Sequence, residues 1–188
     1  MPKQKDSFLH FDYPLKRTLM FVGMPGCGKS SIGKRVARIY SVPFVDSDIE
    51  VERAGGGSCA DLFARFGEAE FRRGEELVIE RLLNGPVCVL SSGGGSFLSE
   101  RTRTNAREKA VTVYLAADLK TLIRNTAGRS HRPLLNTGNP EETIRALMEK
   151  REPFFETADI VVRYKNETLG QLLRRVVGEV NEYAEHHC

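Results

Sequence analysis

No apolar run in the 188 residues approaches the roughly 18 that a helical bilayer crossing needs; the best are 19–22 and 111–117. No membrane-spanning helix is therefore expected. Cysteine is sparse, and Cys27, Cys59, Cys88 and Cys188 contain no C-x-x-C pair. A chain this long builds a core without staples, so a reducing, cytoplasmic setting is expected. Charge of one sign is also lacking: the formal net charge is +3, too small to argue for nucleic acid. Arg outnumbers Lys 19 to 9, but no aromatic stacking pattern accompanies the arginines, and nucleic-acid binding is not expected. Gly (17) and Pro (8) stay well below low-complexity levels while 40% of residues are hydrophobic, which excludes a disordered or fibrous chain. Residues 1–16 hold Lys3, Lys5, Asp6 and Asp12 without an apolar stretch, so they fit neither a signal peptide nor a transit peptide and read as a flexible tail.

What is present is regular alternation. From Thr18 to Tyr183, strand-length apolar runs alternate with helix-length amphipathic segments, without a repeat or a long linker. The pattern predicts one α/β domain over 17–185, a parallel sheet covered by helices, followed by a short tail at 186–188. Strands are predicted at 18–22, 43–45, 86–90, 111–115 and 159–163. Ser47-Asp48-Ile49-Glu50 reads as a capping box, with Ser47 as cap. Asn139-Pro140-Glu141-Glu142 places a cap, a first-turn proline and a third-position Glu. The one long stretch of turn formers, 127–139, has a length that in a compact domain is usually either functional or disordered.

Gly23-Met-Pro-Gly-Cys-Gly28-Lys29-Ser30 matches G-x-x-x-x-G-K-[ST], follows the first predicted strand and opens a helix running to about Tyr40. Glycines let backbone N–H groups turn toward a β-phosphate, the helix N-terminus favours negative charge, Lys29 reaches the β/γ oxygens and Ser30 offers a hydroxyl to Mg²⁺. Gly55-Gly56-Gly57, with no strand before it and no Lys after it, reads as an ordinary loop.

Many P-loop proteins carry a metal-binding Asp after a second buried strand, yet here the run Val87-Cys-Val-Leu90 ends in Ser91. Asp118 follows another strand but heads a helix and reads as its cap. Asp46 and Asp48 sit two apart after Phe44-Val45, so an extended chain turns both carboxylates the same way. One can hold Mg²⁺ while the other takes the proton of an attacking hydroxyl; a plain helix-start role for Asp48 is the alternative. Arg151 continues the apolar stripe Ile144, Leu147, Met148, and Arg72 with Glu75 begins the stripe Ile79, Leu82, Leu83. Inward cations want anionic partners, whether a ligand or a structural ion pair. Ser91-Ser92-Gly93-Gly94-Gly95 follows a strand end, where ligands collect in parallel sheets and glycine permits close backbone approach.

In order along the chain, Gly23 to Ser30, Asp46-x-Asp48, Gly67-Glu-Ala-Glu-Phe-Arg72, Gly93-Gly-Gly95, Arg132-Pro-Leu-Leu135 and Lys150-Arg151 resemble the shikimate kinase family. The resemblance runs from about residue 18 to 175. It implies a single-domain P-loop kinase fold, a five-stranded parallel sheet flanked by helices with a mobile lid. The implied activity is Mg²⁺-assisted transfer of the ATP γ-phosphoryl to the 3-hydroxyl of shikimate, by a monomer. By the same resemblance Gly26, Cys27, Gly28, Lys29, Ser30, Ser31 and Arg132 hold ATP, and Ser30 with Asp46 holds the metal. Asp48 binds the acceptor hydroxyls and stands as base, Arg72 and Arg151 clamp the carboxylate, and Gly93, Gly94 and Gly95 contact the ring. Lys29 and Arg132 neutralise the transferring phosphoryl. Ser31 stands where the family usually has Thr.

Two rival readings share these residues: a kinase for gluconate or a nucleoside monophosphate, and a nucleotide-dependent binding module without phosphotransfer. His131 reads as a solvated lid residue, and His186, His187 and Cys188 as a frayed tail with no metal geometry. Cys27, at a helix N-terminus that lowers thiol pKa, reads as a liability to test for oxidation or alkylation and not as a catalytic residue.

Overall fold

A computed structural model of the chain describes residues 15–127 and 139–187. Among them, β1 (Thr18–Val22), β2 (Phe44–Asp46), β3 (Val89–Ser91), β4 (Ala110–Ala117) and β5 (Ile160–Tyr164) form one sheet in the order β2-β3-β1-β4-β5, every pair parallel. β1 is central and buried along its whole length. Helices cover both faces there, so its sequence is a continuous apolar run instead of an alternating one. At the edge, β5 alternates, with Ile160, Val162 and Tyr164 buried and Arg163 exposed. From β1 the chain goes to β2 on one side, and after β3 it crosses back to β4 on the other. The crevice opens at this reversal, beyond the carboxyl ends of the strands.

The helices are set by their caps and apolar faces. α1 (Lys29–Tyr40) starts at Gly28, whose φ of 89° suits only glycine at low cost, and buries Ile32, Val36 and Ala37. α2 (Ser47–Gly55) and α3 (Cys59–Leu83) share a small second core of Val51, Leu62 and Val78. α3 bends at Gly67 (φ 78°, ψ 170°), which separates its first two turns from the stretch carrying Arg72 and Glu75. α4 (Glu100–Lys109) leads into β4, and α5 (Leu119–Thr126) is capped by Asp118, whose Oδ1 accepts from the Thr121 N–H at 3.1 Å. α6 (Pro140–Phe155) opens as expected, with Asn139 Oδ1 accepting from the Glu141 N–H at 3.0 Å. Its last residue, Phe155, is fully buried against Tyr114 and Phe97, at centroid distances of 5.2 and 6.5 Å. That burial holds this end of α6 by about 1.5–3 kcal/mol and fixes the face that, four residues earlier, carries Arg151. α7 (Leu169–His187) buries Leu172, Val176, Val177 and Val180.

Three local expectations are corrected. The predicted strands at 86–90 and 159–163 lie early: β3 begins at Val89 and includes Ser91, and β5 reaches Tyr164. Residue 46 likewise belongs to β2. The cap of α2 is Asp46, whose Oδ1 accepts from the Asp48 N–H at 3.1 Å, while Ser47 is buried and its hydroxyl accepts from the Gly93 N–H at 2.9 Å. His186 and His187 are helical, not frayed; each ring Nδ1 meets the carbonyl four residues back, and His187 stacks on Tyr183 at 4.0 Å.

Candidate active site

The phosphate-loop sequence lies where β1 ends and α1 begins. Its carbonyls are held by its own Lys29 and by side chains from α5 and β5. The Lys29 ammonium donates to Gly23 O at 2.8 Å and Met24 O at 3.0 Å, Asn125 Nδ2 to Gly26 O at 2.9 Å, and the Tyr164 hydroxyl to Cys27 O at 2.7 Å. Carbonyls turned outward leave N–H groups facing inward, the arrangement an anion needs. The Cys27 side chain, by contrast, is wholly buried. That burial counts against oxidation or alkylation from solvent.

Beside the loop, the Ser30 hydroxyl donates to Asp46 Oδ2 at 2.9 Å and lies 3.2 Å from the Ser91 hydroxyl. Parallel register explains the meeting: Ser91 pairs with Asp46 of β2 on one side and Phe21 of β1 on the other. The sequence shows Ser91 where a second metal carboxylate is usual. The structure shows that it completes an all-oxygen cluster, a donor set that suits a hard divalent cation.

A second group gathers at the ends of β2 and β3. Arg72 Nη1 donates to Glu75 Oε2 at 2.8 Å, as helical spacing implies, and its guanidinium lies 5.3 Å from the Phe71 ring centre. The Glu75 carboxyl is buried, and desolvation raises its pKa above the ordinary range against the pull of Arg72. Arg151 is nine-tenths buried and donates through Nη1 to Gly94 O at 3.0 Å. The three glycines have a role the sequence did not reveal: they make room for the site's own side chains. A Cβ on Gly93 would stand 2.6 Å from Asp48 Oδ1 and 2.7 Å from Glu75 Oε1, so those two carboxylates are close neighbours. On Gly95 it would stand 2.8 Å from both terminal nitrogens of Arg72. On Gly94 it would meet Pro25 of the phosphate loop at 3.0 Å and Arg151 Nη1 at 3.6 Å. Gly94 is thus the seam between the phosphate loop and the arginine group.

A cleft of about 380 Å³ is lined by Gly26, Gly28, Lys29, Ser30, Ser31, Asp46 and Ser91 of the first group and reaches the second through Asp48 and Gly94, with Arg72 and Arg151 behind those two residues. It continues past Arg124, Asn125, Tyr164, Glu167 and Leu169. Arg124, Asn125 and Leu169 were missed in the sequence; they come from α5 and the start of α7, Tyr164 and Glu167 from the end of β5 and the loop after it, and only the strand order brings these elements to β1. Arg132, His131 and the body of the expected lid lie outside the described residues; of its ends, Ala127 caps α5 and Asn139 caps α6.

A phosphate loop on a five-stranded parallel sheet, facing paired acids and inward arginines, defines a small-molecule kinase of the P-loop class. Comparison with known proteins narrows the class. The shikimate kinase family profile matches residues 25–181. The shikimate kinase of Paramagnetospirillum magneticum is 46% identical over 90% of this chain and 87% of its own, and that of Cereibacter sphaeroides 48% identical over 86% and 81%. Among solved structures, shikimate kinase from Acinetobacter baumannii in complex with shikimate superposes with a TM-score of 0.83 at 28% identity, covering 88% of this chain and 93% of that one. The chain belongs to the shikimate kinase family.

Proposed function

We propose that the protein transfers the γ-phosphoryl group of ATP to the 3-hydroxyl of shikimate, giving shikimate 3-phosphate. The observation that carries the reading is the seam at Gly94, which lies against Pro25 of the phosphate loop and accepts a hydrogen bond from Arg151 of the arginine group. The Gly26–Ser31 loop holds the β- and γ-phosphates, and the nucleoside lies toward Arg124, Glu167 and Leu169 along the same cleft. Lys29 leaves the Gly23 and Met24 carbonyls for the phosphate oxygens as they load with charge. Arg72 and Arg151 take the shikimate carboxylate; guanidinium suits that planar, bidentate partner, and Glu75 keeps Arg72 aimed. Asp48 accepts hydrogen bonds from the ring hydroxyls and receives the proton of the attacking one. Ser30 and Asp46 would hold Mg²⁺, with Ser91 beside them, and a cation held there would supply positive charge against that of the phosphates. Arg132 adds a further positive charge at the transferring group, a role implied by the family pattern.

The reading includes a cytoplasmic monomer. The free thiols of Cys27, Cys59 and Cys88 and the absence, among the described residues, of a helix long and apolar enough to cross a membrane are consistent with it. An acceptor panel tests the function. With Mg-ATP and shikimate, gluconate or nucleoside monophosphates, ADP release should be acceptor-dependent with shikimate alone. Turnover of gluconate or a nucleotide in preference to shikimate would overturn the assignment.

A further inference from the structure

We infer that the Tyr164 hydroxyl is a positioning group for phosphate binding: by holding the Cys27 carbonyl outward it aims the Gly28 N–H into the cleft. The argument starts from the peptide plane. In a trans peptide the C=O of one residue and the N–H of the next point in opposite directions. Tyr164 donates to Cys27 O at 2.7 Å, so the Gly28 N–H is directed away from Tyr164. Gly28 is also the residue that opens α1, with its own carbonyl accepting the first helical bond from the Ile32 N–H at 2.9 Å. A φ of 89° at Gly28 leaves this plane without the steric restraint a side chain would impose, and an external hold is what fixes it.

Other contacts divide the loop's carbonyls among different elements. Asn125 of α5 fixes Gly26 O at 2.9 Å, and the Cys27 N–H turns back to Met24 O at 3.2 Å. The Gly28 N–H is therefore the one whose direction depends on Tyr164. Tyr164 is buried at the last position of β5, and burial raises its phenol pKa above the ordinary value, so it remains a donor across the working pH range. The residues that follow it lead straight to Glu167 and Leu169 on the cleft wall. One short segment thus contributes to the nucleoside end and holds the phosphate end.

The inference rests on the nucleotide reading of the loop, and the test separates the two. ADP and AMP binding are measured by calorimetry for the wild-type protein and Tyr164→Phe, with melting temperatures recorded alongside. Losing one oriented hydrogen bond should weaken ADP about 5- to 10-fold in Tyr164→Phe, with AMP, which lacks the β-phosphate, changed less than twofold. Shikimate KM should stay within twofold. If wild-type protein fails to bind ADP, the nucleotide reading falls. If wild type binds ADP and Tyr164→Phe binds it equally well, or loses AMP affinity to the same degree, the positioning role falls. Should Tyr164→Phe not fold, the Gly28 amide signal of the wild-type protein, followed by NMR, carries the decision: a shift on adding ADP that AMP does not produce supports the aimed N–H, and no shift with ADP refutes it.

Discussion

Replacing Gly95 by Ala separates two explanations of the glycine triplet. If the glycines serve only to let a substrate approach the backbone, one methyl group should crowd the ligand. If they house the arginine group, the methyl should displace Arg72. The structure favours the second at Gly95, since the new Cβ would stand 2.8 Å from Arg72 Nη1 and Nη2 and 3.0 Å from Cζ. The three atoms nearest to it are all at the far end of a flexible side chain, so the fold should survive with little change in melting temperature. Arg72 must swing off its 2.8 Å bond to Glu75 and off the carboxylate position. A charge-assisted hydrogen bond of this kind contributes about 1.5–3 kcal/mol, a factor of roughly 10 to 150. Steady-state ADP release, with each substrate varied in turn, should show the shikimate KM of Gly95→Ala raised by at least about tenfold and the ATP KM within twofold. A shikimate KM within twofold of wild type, or an equal rise in both constants, would refute the argument.

The raised pKa of Glu75 gives a pH signature. A carboxyl held above its unfolded value of 4.5 binds more protons in the folded state, so its contribution is full below that pH and is lost as pH rises through the folded pKa. The melting temperature of wild type relative to Glu75→Gln should therefore fall as pH rises from about 4.5, and a difference that stays flat or grows would contradict the burial account. Burial, then Asp48, Glu52 and Glu75, push the Cys59 thiol up to about 12. At pH 8 its iodoacetamide labelling, followed by mass spectrometry, should run about 10³-fold slower than that of a free cysteine; labelling at the free rate would show that these carboxylates do not act on it.

The phosphate loop and the parallel sheet were legible because each is a local pattern: a fixed spacing, or an apolar run between turn formers. The two-residue period expected to align Asp46 and Asp48 does not hold, because the chain is helical from Ser47 and Asp48 reaches the cleft from the first turn of α2. Arg151 and Arg72 were legible because helical periodicity carries them inward with Ile144 and Ile79. What failed was whatever depends on register. The apolar run that includes Val87 and Cys88 does not reveal that pairing begins at Val89, and so Ser91 could not be set beside Asp46 and Ser30. Likewise the Asp46 carboxylate outcompetes Ser47 for the α2 cap because the Ser47 hydroxyl is turned to Gly93 N–H, a contact 46 residues away. Tyr164 and Asn125 reach the phosphate loop across 137 and 99 residues, and no single-sequence signal links them.

The central claim is that triphosphate and carboxylated acceptor meet across Gly94. A crystal structure of the protein with ADP and shikimate measures it directly. The account expects the β-phosphate within the Gly26–Ser30 loop, the shikimate carboxylate within hydrogen-bond distance of Arg72 and Arg151, and a ring hydroxyl on Asp48. A carboxylate bound away from both arginines, or a ring turned so that no hydroxyl faces the nucleotide, would contradict it.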